Sequence, residues 1–389
     1  MPEKMVLAVN AGSATLKFAL YPIRAGQAGA PLSSGQFDVM GDSAFEAALG
    51  RLRDDVQSRL PAGTELAAIA HRIVHGGQTF SASVLLTEAV LGELEALNHL
   101  APLHQPHNLR GVRALAQAFP DLPQIGCFDT GFHASLPDVE RRLPIPAELD
   151  AAGVRRYGFH GLSYRYLVQR LGEETQALRQ AQGERNAPAL PGRWLLAHLG
   201  SGASLCAVQD GHSVATTMGF SALDGLMMGT RCGAIDPGVL LHLLREGWSS
   251  TRIEKLLYKD CGLAGVSGLS NDMRTLRAQA ATHPNADLAI RLFTRRVVRE
   301  AGALIACMGG LDGLAFTGGI GEHDTLLRTD VVQALSFLGL QLDPQANATA
   351  IGSATLPIHA PTSPIPIWVV PTDEGRIAAQ DAAQWVKRG

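Results

Sequence analysis

Several signatures that would settle a function at once are missing from this chain of 389 residues. Its five cysteines (Cys127, Cys206, Cys232, Cys261 and Cys307) are scattered, odd in number and without CxxC spacing. That argues against a thiolate zinc site and a disulfide framework, and fits a reducing cytoplasm. No P-loop GxxxxGK[ST] occurs, and no GxGxxG opens a helix with a suitably placed acidic residue, so the two commonest nucleotide folds are disfavoured. The longest apolar region, Gly302 to Ile320, is broken by Asp312 and several glycines and does not read as a membrane span. The run MVLAVNAG meets Asn10 and lacks a basic flank and cleavage site, so it reads as a strand rather than a signal peptide. An excess of one charge is missing too: the formal net charge is −3, with acidic and basic residues mixed along the chain. Neither nucleic acid nor a membrane surface is expected as a partner, which leaves a small molecule.

What is present is a hydrophobic fraction of 46% against 18% charged residues, the composition of a well-buried globular protein. The length exceeds what one core supports, so two domains or a divided α/β body with a cleft is expected. Apolar runs ending in glycine recur: VLAVNAGS, LAAIAHRIVHGG, IGCFDTGF, WLLAHLGSG and GLAFTGGIGE. Between them lie helical patterns, such as SAFEAALGRLRDDVQSRL from Ser43 and DLAIRLFTRRVVREAGALIACM from Asp287. Alternating units of this kind imply a sheet covered by helices. VLAVNAGSATLKFAL and WLLAHLGSGASLCAV share a strand, a Gly-Ser turn and a second strand, which suggests two similar halves. The polar stretch Glu173 to Arg193 reads as an exposed loop.

Three glycine-rich turns follow apolar strands: Asn10 to Thr15, His198 to Ser204 and Thr317 to Glu322. Such turns present backbone N–H groups with no side chain in the way, which suits phosphate, although any one of them also serves as a tight connection.

Taken in order, VNAGSATLKF, HRIVHGG, APLHQPHN, FDTGFH, RRYGFHGLS, HLGSGAS, TTMGFSALDGLMMGTRCGAIDP, GLSNDMR, FTGGIGEH and PTDEGR resemble segments of the acetate kinase family from Asn10 to Arg376. The resemblance implies a duplicated ribonuclease-H-like α/β fold of the actin, Hsp70 and sugar kinase type, two domains around a central cleft. It places residues 1–129 plus 373–389 on the acyl-substrate and metal side and 130–372 on the nucleotide side. It further implies reversible transfer of the ATP γ-phosphoryl group to acetate, giving acetyl phosphate and ADP, with Mg2+ (Mn2+ as a substitute) in a cytoplasmic homodimer.

Phosphoryl transfer asks mainly for in-line positioning and for neutralisation of charge on the equatorial oxygens. By resemblance Arg72 and Arg231 contact acetate and the transferring group, His160 donates to transition-state oxygens as either a neutral or a protonated ring, and His104 contributes more weakly. Asp129 orients the attacking carboxylate or holds a metal-bound water; acetate is already ionised and needs no general base. Glu374 and Asn10 are matched to the metal, with Ser13 beside them at the phosphate. Gly200, Ser201 and Gly202, with His198, line the phosphates, and Asp272, Met273, Arg274, Gly319, Ile320, Gly321 and His323 surround ribose and adenine. Lys17 is grouped with the nucleotide residues, although on its own it reads as a solvated strand residue. Val74, Leu103, Phe159 and Ala222 form the methyl pocket. His71 with His75 and His104 with His107 lack the further ligands of a zinc site.

The chain departs from the family pattern at Ser201 and His323 (both usually Asn), Leu162, Tyr164, Gly375 (usually a second Glu) and Ala222 (usually Pro). The last substitution removes ring volume and suggests that propionate is accepted. Rival readings are a propionate or butyrate kinase, an actin- or Hsp70-like ATP-driven binding module, and an inactive relative. The joint presence of Arg72, Asp129, His160, Arg231 and Glu374 argues against the last.

Overall fold

In a computed structural model, residues 3–12, 15–39, 41–181 and 190–387 are described. Ser13 lies outside them, as do residues 182–189 of the stretch read as a loop. The rest of that stretch differs from expectation: the helix Gly161–Ala181 runs through Glu173. Arg170 explains part of the difference, because it bonds Glu173 and Glu174 one turn on and turns a polar sequence into a helix surface.

The chain forms two compact units, one of Met1–Ala134, Gly161–Tyr166 and Asp373–Gly389, the other of Ser135–His160 and Leu167–Thr372. In the first, strand Glu3–Ala11 pairs antiparallel with Thr15–Arg24, which pairs antiparallel with Ser33–Asp38. On its other side the first strand pairs parallel with Thr64–Ile73, which pairs parallel with Gln124–Phe128. The second unit repeats the plan. Arg193–Leu199 and Ala203–Gln209 form an antiparallel hairpin continued by His212–Thr216. Arg193–Leu199 also runs parallel to Gly313–Thr317, and that strand to Ile367–Val369. Three antiparallel strands followed by two parallel ones, twice over, is the duplicated ribonuclease-H-like fold of the actin, Hsp70 and sugar kinase type. The repeated hairpins are the two segments whose sequences match.

Side-chain alternation explains how both faces of the first sheet are covered. Met5, Leu7, Val9 and Ala11 meet Phe45, Ala48, Leu49, Leu52 and Val56 of helix Asp42–Arg59. Val6 and Ala8 meet Ile377, Ala378 and Ala382 of helix Glu374–Val386. In the second unit helix Pro284–Met308 starts at Pro284, capped by the His283 side chain, and stops at Gly309, whose φ of 71° is left-handed. Among the described residues no helix is long and apolar enough to cross a membrane.

The histidine pairs are built into this frame. His71 lies in the central strand, is buried, and donates from Nε2 to Gln124 Oε1 at 2.7 Å. Burial pushes its pKa down to about 4 against this bond, and burial likewise pushes His75 down to about 4. Each ring folds neutral and must charge when the chain unfolds in acid. The stability it contributes is therefore complete above pH 6.5, the ordinary histidine value, and is lost as pH falls toward 4. At pH 5 we expect the loss from His71 to be about 2 kcal/mol, from about 1.4 kcal/mol per unit of separation. Denaturant unfolding of the wild type and His71→Asn at pH 7 and pH 5 checks this. A wild-type stability change that the variant reproduces in full would refute it.

Candidate active site

Within the first unit, two parallel strands end side by side. Ile73 stands opposite Phe128, and the next residue, Asp129, donates its N–H to Ile73 O at 3.0 Å. This register brings the Asp129 carboxylate, 2% exposed, to the guanidinium of Arg72. Arg72 Nε lies 3.0 and 3.1 Å from the two oxygens and Nη2 lies 2.6 Å from one of them. The remaining nitrogen, Nη1, is 3.4 Å from Glu374 Oε2. Burial alone would lower the Arg72 pKa, but the Asp129 and Glu374 carboxylates raise it above the ordinary guanidinium value. Asp129 is thus buried rather than exposed, and it fixes Arg72.

The turn after Arg72 is held by two residues that the sequence did not single out. Helix Gln105–Ala118 begins just after His104, and Gln105 and Asn108 share its inner face at helical spacing. Gln105 accepts from His75 N and donates to His75 O, at 3.2 and 3.0 Å. Asn108 accepts from Val74 N at 3.0 Å and donates to Ala11 O at 2.6 Å, tying the turn to the strand that carries Asn10. Val74 is buried, whereas Leu103 and His104 are half-buried. Lys17 is exposed, in register with Asn10 and Gln36 on neighbouring strands.

The second unit assembles a different group. His160 sits at φ 60°, a left-handed conformation that a non-glycine residue adopts only under constraint. The constraint is visible: Nδ1 is 2.8 Å from the hydroxyl of the buried Ser204, and the ring stacks on His198 with centroids 4.1 Å apart. A Cβ at Gly202 would stand 3.3 Å from His160 Nε2 and 3.8 Å from Arg231 Nη1. A bare glycine therefore lets the HLGSGAS turn approach both groups. Arg231 is carried on a loop without regular structure, and donates from Nη1 to Ala222 O at 3.0 Å. Gly229 N–H donates to Ser201 O at 3.0 Å, joining this loop to the turn. Phe159 is buried and Ala222 is half-buried.

Beside that turn is a cavity of about 670 Å³ lined by Gly200, Ser201, Asp272, Met273, Arg274, Gly319, Ile320 and His323. Asn271, Arg277, Asp324, Thr325 and Leu326 also line it. Thr317 to Glu322 is not a plain turn, since the chain enters a short helix, Gly318–His323, directly from the strand. Two acceptor-donor clusters hold it. Glu322 Oε1 accepts from Thr317 Oγ1, Gly318 N and Thr372 N at 3.2, 2.8 and 3.2 Å. Arg328, fully buried, uses all five N–H groups: two on Gly321 O and Glu322 O, and three on Asn347 Oδ1, Asn347 O and Ala350 O. Burial pushes its pKa down to about 10, against the attraction of Asp324. It was illegible in sequence because its partners are mostly backbone carbonyls, which leave no side-chain pattern.

A divalent ion fits the first unit chemically. Glu374 has a side chain 20% exposed and a contact of 3.4 Å to Arg72, and the half-buried Asn10, near the end of the first strand, is the other residue matched to a metal. Hard oxygen donors of this kind suit magnesium, which takes one or two carboxylates and completes its shell with water and phosphate. Among the described residues no group of three or more His, Cys, Asp or Glu is placed to hold a metal.

A sequence model of the Acetokinase family matches residues 33–380. The chain is similar to the acetate kinase of Rhodopseudomonas palustris (strain ATCC BAA-98 / CGA009), 46% identical over 399 positions that cover 97% of each protein. Among solved structures it is similar to Porphyromonas gingivalis acetate kinase, with TM-score 0.85, 33% identity, and coverage of 99% of this chain and 100% of that one. It is also similar to a propionate kinase from Francisella tularensis, with TM-score 0.82, 34% identity, and coverage of 97% and 98%.

Arg328→Met would strand several buried carbonyls and an amide oxygen, and we expect a stability loss on the order of 3–5 kcal/mol. In what remains folded, KM for ATP rises while KM for the acid holds. Thermal unfolding and steady-state kinetics test this; an unchanged melting temperature would contradict it.

Proposed function

This chain belongs to the acetokinase family, and on that premise we propose that it transfers the ATP γ-phosphoryl group to acetate, giving acetyl phosphate and ADP. We assign Asn10, Arg72, Val74, Leu103, Asp129 and Glu374 to the acyl and metal side, and His160, Arg231 and the cavity residues to the nucleotide side. The observation that carries the reading is the approach of a glycine turn, an imidazole and a guanidinium at Gly202, His160 and Arg231. Those groups supply what a transferring phosphoryl needs: fixed N–H donors and positive charge in one small region.

In the proposed step an ionised acetate oxygen attacks the γ-phosphorus in line. The new P–O bond forms as the bond to the β–γ bridging oxygen breaks, and the electron pair leaves with ADP. No proton is removed from the acid. Arg72, oriented by Asp129, holds the carboxylate and an equatorial oxygen. Arg231 and His160 stabilise the other oxygens; in the tautomer whose Nδ1 accepts from the Ser204 hydroxyl, 2.8 Å away, Nε2 carries the proton and is the donor. Magnesium, when bound, offsets phosphate charge, and Glu374 and Asn10 are its protein donors. Alanine at position 222, where the family usually has proline, removes ring volume, and on that ground we propose propionate as a substrate as well. Similarity to a propionate kinase supports this.

We further propose a homodimer. Helix Pro237–Arg245 buries none of its residues, and Ile235, Val239, Leu241 and Leu244 are 41%, 38%, 52% and 50% exposed. An apolar stripe of this kind suits burial against a second copy. The five cysteines are free thiols, in keeping with a reducing cytoplasm.

Mg-ATP incubated with acetate, propionate or butyrate, with hydroxylamine to trap acyl phosphate, should give acid-dependent hydroxamate. Propionate should fall within about a hundredfold of acetate in kcat/KM, since burying one further methylene is worth about 0.8 kcal/mol, only a few-fold; a larger gap would remove the argument from Ala222. ATP hydrolysis indifferent to acid, with nothing trapped, would instead favour an ATP-driven binding module. For the dimer, Leu241→Glu with Leu244→Glu should halve the mass measured by sedimentation; a wild type that already sediments as a monomer would dispose of it.

A further inference from the structure

Gly375 stands where the family repeats a glutamate, and the structure gives that departure a physical partner. Tyr21, 2% exposed on strand Thr15–Arg24, donates its hydroxyl to Asp373 Oδ1 at 2.5 Å. The same Asp373 oxygen accepts from Arg376 N at 3.0 Å, which caps helix Glu374–Val386. A Cβ at Gly375 would lie 2.5 Å from the Tyr21 hydroxyl oxygen and 3.2 Å from Cζ. Phenol and side chain cannot both occupy that volume. Arg376 adds a second anchor, donating from Nε to Ala28 O at 3.0 Å.

These contacts converge on the residue between them. Glu374 is the first residue of the helix, so the direction in which its carboxylate leaves the backbone is set by how Asp373 and the first turn are held. We propose that Tyr21 is a positioning residue for the Glu374 carboxylate, acting through Asp373, and that Gly375 is glycine because the phenol fills its side-chain space. The proposal rests on the reading of Glu374 as the metal ligand. Burial, and then the charge of Asp373, raise the Tyr21 pKa, so the phenol remains a donor throughout the working pH range.

The test is direct Mn2+ binding to the full-length protein with ADP present, followed by the electron paramagnetic resonance signal of free Mn2+. Tyr21→Phe and Gly375→Ala should each weaken Mn2+ binding about tenfold, the lower end for groups that orient metal ligands. The double variant should be no weaker than either single one, because both changes remove the same hydrogen bond. KM for acetate should hold. Glu374→Gln separates the two claims. If it binds Mn2+ like the wild type, the ligand reading fails and takes the proposal with it. If it loses Mn2+ while Tyr21→Phe and Gly375→Ala keep theirs, the ligand reading stands and the positioning role is wrong. Should Tyr21→Phe not fold, Gly375→Ala still decides, since alanine is the better helix former. A Gly375→Ala protein that is more thermally stable and binds Mn2+ unchanged overturns the proposal.

Discussion

The arrangement at the first unit's strand ends depends on one interaction, the ion pair of Arg72 with Asp129. Removing a guanidinium from water is costly unless carboxylates replace its hydration in good geometry, and breaking such a pair leaves an uncompensated charge. The geometry here is fixed by the sheet rather than by the side chains. Strands Thr64–Ile73 and Gln124–Phe128 are parallel neighbours, and their register leaves Arg72 and Asp129 at adjacent ends. A slip of one residue in either strand would turn one partner to the other face. Gln105 and Asn108 hold the adjoining turn through both backbone groups of His75 and through Val74 N, which protects that register where the strand stops.

The second unit repeats the topology but uses its ends differently. Its hairpin turn carries Gly200 and Gly202, and the groups that approach it are the Arg231 guanidinium, from a loop, and the His160 imidazole. His160 keeps its left-handed backbone because Ser204 and His198 hold its ring from two directions. The strained residue is also the one whose ring faces the turn. That is the ordinary relation between local strain and a functional position.

Much of this was legible in the sequence for a physical reason. Strands announce themselves by apolar runs, and close backbone approach demands glycine, so the duplicated hairpins and the HLGSGAS turn stood out before any coordinates. What could not be read were partners distant in the chain. Asn108 to Ala11, Tyr21 to Asp373 and Arg328 to Asn347 are contacts made by the tertiary fold, and the residues involved follow no short motif. The helix through Glu173 was missed because its stability comes from spaced ion pairs on a polar surface rather than from apolar periodicity.

The polar groups gathered in the two units differ in kind. Around Arg72 one guanidinium meets two carboxyl groups, Asp129 and Glu374, so with all three ionised the cluster is one negative charge in excess. Around Gly202, Arg231 donates to the carbonyl of Ala222, and the HLGSGAS turn has no carboxylate in its own sequence. The duplicated fold therefore does more than provide two similar scaffolds. The first copy places Arg72 and Asp129 where two parallel strands end, whereas the second brings His160 and Arg231 to its hairpin turn, so one topology carries two different groups of polar side chains.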